Sequence, residues 1–220
     1  MTIISFRYNF IFVKTRKAGG TSVEVALSKR IEQRAIVTPI LPAVEGHTPR
    51  NYESNHGSMG VFYNHMTALE IQERLGKTLF GNMYKFTIER EPVSKCISHF
   101  HMLRNSSLHN NNGCYKLSWD EYCEAGDFPI DIEKYSDIRK GRRQLICDEV
   151  IPYEAMNARL GEIMKERGID EFTISEREKS QYSKNKIVYI DNVTPAQKVA
   201  IYDAFLESLT VSGLDGYYSL

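Results

Sequence analysis

The densest run of chemistry-bearing residues lies between Lys14 and Ser22. Lys14, Arg16 and Lys17 stand ahead of Gly19-Gly20, and the hydroxyls of Thr21 and Ser22 follow. An apolar, strand-like run at 10–13 precedes them, and Val23, Leu27 and Ile31 then recur at helical spacing. In that order a strand ends, the chain turns at the glycine pair, and unbonded backbone N–H groups at a helix start face a phosphate-like anion. The cations add charge there and the hydroxyls add donors. A Walker loop places its lysine after the glycines, directly before Ser or Thr. Here the lysines come first, so the pattern predicts a phosphate cradle of another kind.

A second anion element is predicted around Arg90. A strand at 83–88 runs into the turn Glu89-Arg90-Glu91-Pro92, and Pro92 suits the first turn of a helix over 93–103. An arginine at a strand's carboxyl end can grip a phosphate with two parallel hydrogen bonds, and Ser98 can add a hydroxyl from the helix. Open α/β sheets bind ligands in the crevice at those strand ends.

The elements that must position these residues alternate between strand and helix. Thr67 caps a helix to Leu75 with Glu70 at the capping-box position, and Gly76 stops it. Ser118 and Glu121 mark a short helix to Ala125, residues 149–152 a strand, 154–167 a helix ending at Gly168, and Thr194-Pro195 a last helix to 209. Residues 39–58 and 105–113 read as loops, the first long enough to be functional. The alternation predicts one domain over 1–220 with helices on both faces of a parallel sheet.

Composition narrows the function classes. The 28 basic and 28 acidic residues cancel, which argues against a general nucleic-acid or membrane-surface binder. No apolar run approaches the ~18 residues of a membrane span, and the first residues lack the pattern of a signal peptide. Cys96, Cys114, Cys123 and Cys147 show no metal-ligand spacing and read as reduced thiols, although a Cys114–Cys123 bridge is conceivable. A cytoplasmic setting is expected.

Together the two anion elements resemble the sulfotransferases that use 3′-phosphoadenosine 5′-phosphosulfate (PAPS), in their carbohydrate and bacterial branch. The first is similar to that family's 5′-phosphosulfate loop and the second to its 3′-phosphate element. Arg16 stands where Pro is usual, Ala18 for Thr, Glu91 for Asn and Lys95 for a second Arg. The stretch NHMTALEIQERLG from Asn64 resembles the family's His-x-x-Ala-x-Glu segment, and the ending Leu214-Asp215-Gly216-Tyr217 its Phe-Gly-Tyr. The likeness covers most of the chain and is loosest over 39–58 and 105–138.

The resemblance implies a three-layer α/β/α, P-loop-kinase-like sulfotransferase fold with a central parallel sheet. It implies transfer of a sulfuryl group from PAPS to a hydroxyl, on a carbohydrate by the branch resembled, leaving adenosine 3′,5′-bisphosphate and using no metal. Lys17 would hold the phosphosulfate bridge and stabilise the leaving phosphate. Arg16, Gly19, Gly20, Thr21 and Ser22 would complete the cradle, and Arg90 and Ser98 would take the 3′ phosphate. By the same resemblance Tyr153 would lie near the adenine, or else in the core, and Lys184, in a polar loop with Lys179 and Ser183, would be a further cofactor contact. His65 is the candidate base, because a neutral imidazole can accept an alcohol proton; His56 and Glu24 remain rivals.

His99 and His101 read as helix-surface or packing residues, and His47 and His109 as loop residues. The basic knot at 139–143 matches a family triplet only out of order and reads as a contact to an anionic acceptor or as solvated charge. Two other functions compete. A kinase on a related fold would need a lysine after the glycines and a strand-end carboxylate for magnesium, and neither is recognised. A catalytically inactive nucleotide-binding protein would keep the pocket alone.

Overall fold

A computed structural model describes residues 2–53, 60–106, 108–109, 115–174 and 185–220. It is a mixed α/β structure. Strands β1 (Thr2–Ser5), β2 (Phe10–Val13), β3 (Ile36–Val37), β4 (Tyr84–Glu89) and, further on, Glu149–Pro152 form a five-stranded sheet. Helices α1 (Gly20–Ser28), α2 (Ala68–Leu75), α3 (Lys77–Asn82), α4 (Pro92–Asn105), α5 (Trp119–Ala125) and α6 (Ile132–Tyr135) connect them. A hairpin of β5 (Ser136–Arg139) and β6 (Arg142–Leu145) precedes β7, the Glu149–Pro152 strand. A 3₁₀ turn at Tyr153–Ala155 leads into α7 (Met156–Glu166), and α8 (Pro195–Ser212) lies near the carboxyl end.

The sheet order is β3-β1-β2-β4-β7. β2, β4 and β7 are mutually parallel neighbours, whereas β1 runs antiparallel to both β2 and β3. The predicted all-parallel sheet is therefore corrected to a mixed one. Residues 6–9 are too short for a crossover, so β1 can only fold back on β2 as a hairpin. The basic knot is likewise the tip of the β5–β6 hairpin, where Lys140 and Gly141 take φ values of 50° and 74°, the left-handed pair that a tight two-residue hairpin needs.

Successive residues of the first strands enter two separate cores. Ile4, Ile11 and Val13 pack with Ile71, Val93, Phe100, Tyr122 and Phe205 on one side. Ile3, Phe10 and Phe12 pack with Val23 and Leu27 of α1 and Leu160 and Ile163 of α7 on the other. This period of two is the pleat of a strand buried on both faces. It leaves the carboxyl ends of β2, β4 and β7 side by side along one rim. The predicted capping boxes at Thr67/Glu70 and Ser118/Glu121 are formed, and Thr194 closes one with Gln197.

Candidate functional site

Three chain segments meet past the carboxyl ends of the three parallel strands. β2 leads into the loop of Lys17 and Gly19, β4 into Arg90, and β7 into Tyr153. The Arg90 guanidinium lies 4.7 Å from the centre of the Tyr153 ring, a cation–π distance, and its Nη1 is 3.5 Å from the Lys17 carbonyl oxygen. Arg90 Nε is buried with no hydrogen-bond partner among the described residues. The loop turns through Lys17 at φ 59° and Gly19 at φ 72°. Gly19 caps α1 without a side-chain bond, and its carbonyl accepts from Ser22 N at 3.0 Å. A Cβ on Gly19 would stand 2.8 Å from Tyr153 Cε2, so the tyrosine ring reaches the turn only because a glycine is there.

Lys14 does not project into the cradle as free charge. Its side chain is buried under the start of α1, with Nζ 2.7 Å from Glu24 Oε2 and 3.1 Å from Thr21 Oγ1. Its carbonyl oxygen lies 3.3 Å from Nδ1 of His65. That bond requires a hydrogen on Nδ1, which leaves Nε2 as the ring's acceptor. Burial, reinforced by the nearby charges of Lys14 and Lys134, pushes the His65 imidazole down to about 2. The ring is therefore neutral throughout the physiological range, not poised near it as the sequence suggests. His65 also sits at φ 61°, so both candidate catalytic residues, Lys17 and His65, hold left-handed backbones.

Arg16 is drawn to the other side of the loop. Its backbone N and Nε donate to the two carboxylate oxygens of Asp131 at 2.7 and 2.8 Å, and Nη2 donates to the Ile130 carbonyl at 2.8 Å. Asp131 also accepts from Lys95 at 3.2 Å, and Lys95 donates to both oxygens of Glu89 at 2.6 and 3.0 Å. Lys95, Glu89 and Asp131 are all buried. A carboxylate does therefore stand at the end of β4, contrary to the sequence reading, but the Lys95 ammonium occupies it. Glu91, the least expected residue beside a phosphate element, caps α4 by accepting from the N–H groups of Val93 and Ser94 at 2.9 and 2.6 Å.

Ser22 is buried in the first turn of α1, and Ser98 is half-buried on α4, two turns beyond Arg90. Lys184, Lys179, Ser183, His56 and Cys114 lie outside the described residues. Cys96, Cys123 and Cys147 are free thiols. His99 contacts the Tyr122 hydroxyl at 3.1 Å, and burial pushes it down to about 4. His101 accepts the Ile187 N–H at Nε2, 3.0 Å away, and its Nδ1 lies 2.8 Å from the Ile97 carbonyl oxygen. Of the two roles expected, helix surface or packing, both take packing, since both are buried.

Two contributors went unread in the sequence. Asp131 sits in the stretch where the likeness is loosest and carries no local pattern. Tyr218, not the half-exposed Tyr217, is the buried tyrosine of the carboxyl end. Its hydroxyl accepts from Tyr153 N at 3.2 Å and donates to Glu154, tying the carboxyl end to the turn beside Arg90. Among the described residues no group of His, Cys, Asp or Glu has the arrangement of a metal site, and no helix is long and apolar enough to cross a membrane. Comparison with protein-family models, with curated proteins and with solved structures found no match for the chain.

Proposed function

We propose that the chain is a PAPS-dependent O-sulfotransferase of the three-layer sulfotransferase fold, acting on a carbohydrate hydroxyl. The observation that carries this reading is the meeting of Lys17, Arg90 and Tyr153. Two elements read separately as phosphate sites, 73 residues apart, end 3.5 Å from one another on neighbouring parallel strands. A nucleotide bearing phosphate at both ends of its ribose needs two such anion-binding segments lining one crevice. The local structure fits such a group: Gly19 turns the chain at φ 72° into the first N–H groups of α1, and the orphaned Arg90 Nε is a donor that a phosphate oxygen would satisfy.

When bound, PAPS supplies the sulfuryl group. The N–H groups opening α1 and the Thr21 and Ser22 hydroxyls would hold the 5′ phosphate, and Arg90 with Ser98 would hold the 3′ phosphate. Lys17 would supply an ammonium to offset the charge on the departing phosphate oxygen, the electrostatic role expected of a group-transfer site. His65 Nε2 takes the proton of the attacking hydroxyl. Its lowered basicity in the free protein comes first from burial and then from the nearby charges of Lys14 and Lys134, and a bound polyanion would offset the charge contribution. Two measurements test the reading. Calorimetry must show adenosine 3′,5′-bisphosphate binding far more tightly than ADP or ATP. Radiolabelled sulfate must then pass from PAPS to a glycan panel. Preference for ATP refutes the proposal.

A further inference from the structure

We infer that Lys14 is a positioning residue that aims the Thr21 hydroxyl at the bound anion, and that Glu24 is its anchor, not a catalytic base. The inference rests on the sulfotransferase reading and assigns two residues of that site. An ammonium has three donors and no acceptor, so in the 3.1 Å contact Lys14 Nζ donates and Thr21 Oγ1 accepts. The Thr21 hydroxyl hydrogen must then point elsewhere, and Thr21 stands half-buried in the first turn of α1, next to the N–H groups that open the helix. The neighbouring charge polarises that hydroxyl and strengthens it as a donor.

Glu24 fixes the arrangement from beneath. Its carboxylate is fully buried one turn along α1 and holds Lys14 Nζ at 2.7 Å. The lysine stem fills the space under Gly20, where an added Cβ would lie 2.7 Å from Lys14 Cγ and 2.9 Å from Cε. The main chain of Lys14 meanwhile receives His65 Nδ1, so one residue orients both an anion donor and the candidate base.

The test is a double-mutant cycle of Lys14→Met and Thr21→Val, read by calorimetry with two ligands. Adenosine 3′,5′-bisphosphate carries the 5′ phosphate; adenosine 3′-monophosphate lacks it. Each single change is expected to weaken the bisphosphate roughly 10–100-fold, the worth of a hydrogen bond to a charged group. The double variant should be no weaker than either single one, and affinity for the monophosphate should stay unchanged. Additive losses, or equal losses for both ligands, overturn the inference while leaving the sulfotransferase reading intact. Wild-type protein that binds no bisphosphate takes both down. Should Lys14→Met fail to fold, Lys14→Met/Glu24→Gln removes both buried charges and enters the same cycle. Glu24→Gln alone should raise KM for PAPS with little change in kcat. Loss of kcat at unchanged KM would make Glu24 the base instead.

Discussion

Nδ1 of His65 lies 3.3 Å from the carbonyl oxygen of Lys14, the residue that follows β2 and begins the anion loop. The contact settles the tautomer of a neutral ring and fixes Nε2 as the atom able to take a proton. His65→Ala should then lower sulfate transfer by about 10²–10⁴-fold, the usual worth of a general base. Affinity for adenosine 3′,5′-bisphosphate should change less than about twofold, as expected for a group that does not hold the nucleotide. Full activity in a working assay refutes the assignment.

The same ring should be silent in a titration of the free protein. Burial holds it near 2 against an ordinary 6.5, so its NMR signals should not shift between pH 8 and about pH 5. The sign for stability follows. Between 6.5 and 2 the unfolded chain carries the proton and the folded chain does not, so this contribution is complete above pH 6.5 and lost as pH falls. A native midpoint near 6 would mean that the ring is solvated and the contact with Lys14 is not maintained.

Arg90 tests the second anion element. Arg90→Met keeps an apolar stem against Tyr153 but removes the fork. It should weaken adenosine 3′,5′-bisphosphate by roughly 10–100-fold, while the affinity for adenosine 5′-monophosphate, which lacks the 3′ phosphate, barely moves. Arg90→Lys should recover only part of the loss, since an ammonium cannot make the paired contact. Equal losses for both ligands would make Arg90 a structural residue.

The capping boxes, the glycine turn and the strand–turn–helix around Arg90 were legible because local chemistry decides them. Thr67 and Glu70 bond to each other's backbone whatever the rest of the chain does. The mixed sheet was less legible, since β1 is a four-residue strand whose direction follows from the length of the next turn rather than its own composition. Lys14 and Arg16 show a different limit. Three cations in four residues read as one pool of charge, yet Glu24 takes one and Asp131 another. Asp131 comes from 115 residues away, and spacing along a chain carries no record of such a partner.

Gly19→Ala joins fold and site in one substitution. The new Cβ must adopt a left-handed backbone at φ 72° and would meet the Tyr153 ring at 2.8 Å. Alanine at such a position costs about 1 kcal/mol in conformation alone. Displacement of Tyr153 also loosens its stack on Arg90, so bisphosphate affinity should fall as well. Gly76→Ala, at φ 79° but with nothing near the added Cβ, carries the backbone penalty without the collision. Equal bisphosphate affinity in the two variants would show that Tyr153 is not held against the loop.

The buried triad below the loop sets the stability of the rim. Lys95 is fully buried between Glu89 and Asp131, and their charges keep its ammonium above the ordinary value despite burial. Lys95→Met leaves the buried Glu89 facing Asp131 with no cation of its own, while Asp131 keeps Arg16, so it should destabilise the fold by about 3–5 kcal/mol. That is a large part of the roughly 5–15 kcal/mol that holds a typical domain together. Lys95→Met/Glu89→Gln removes one carboxylate charge and leaves Asp131 with Arg16, so much of the loss should return. Denaturant unfolding of both variants measures the difference. A double variant no more stable than Lys95→Met would show that the cost lies in packing around the lysine stem, not in uncompensated charge.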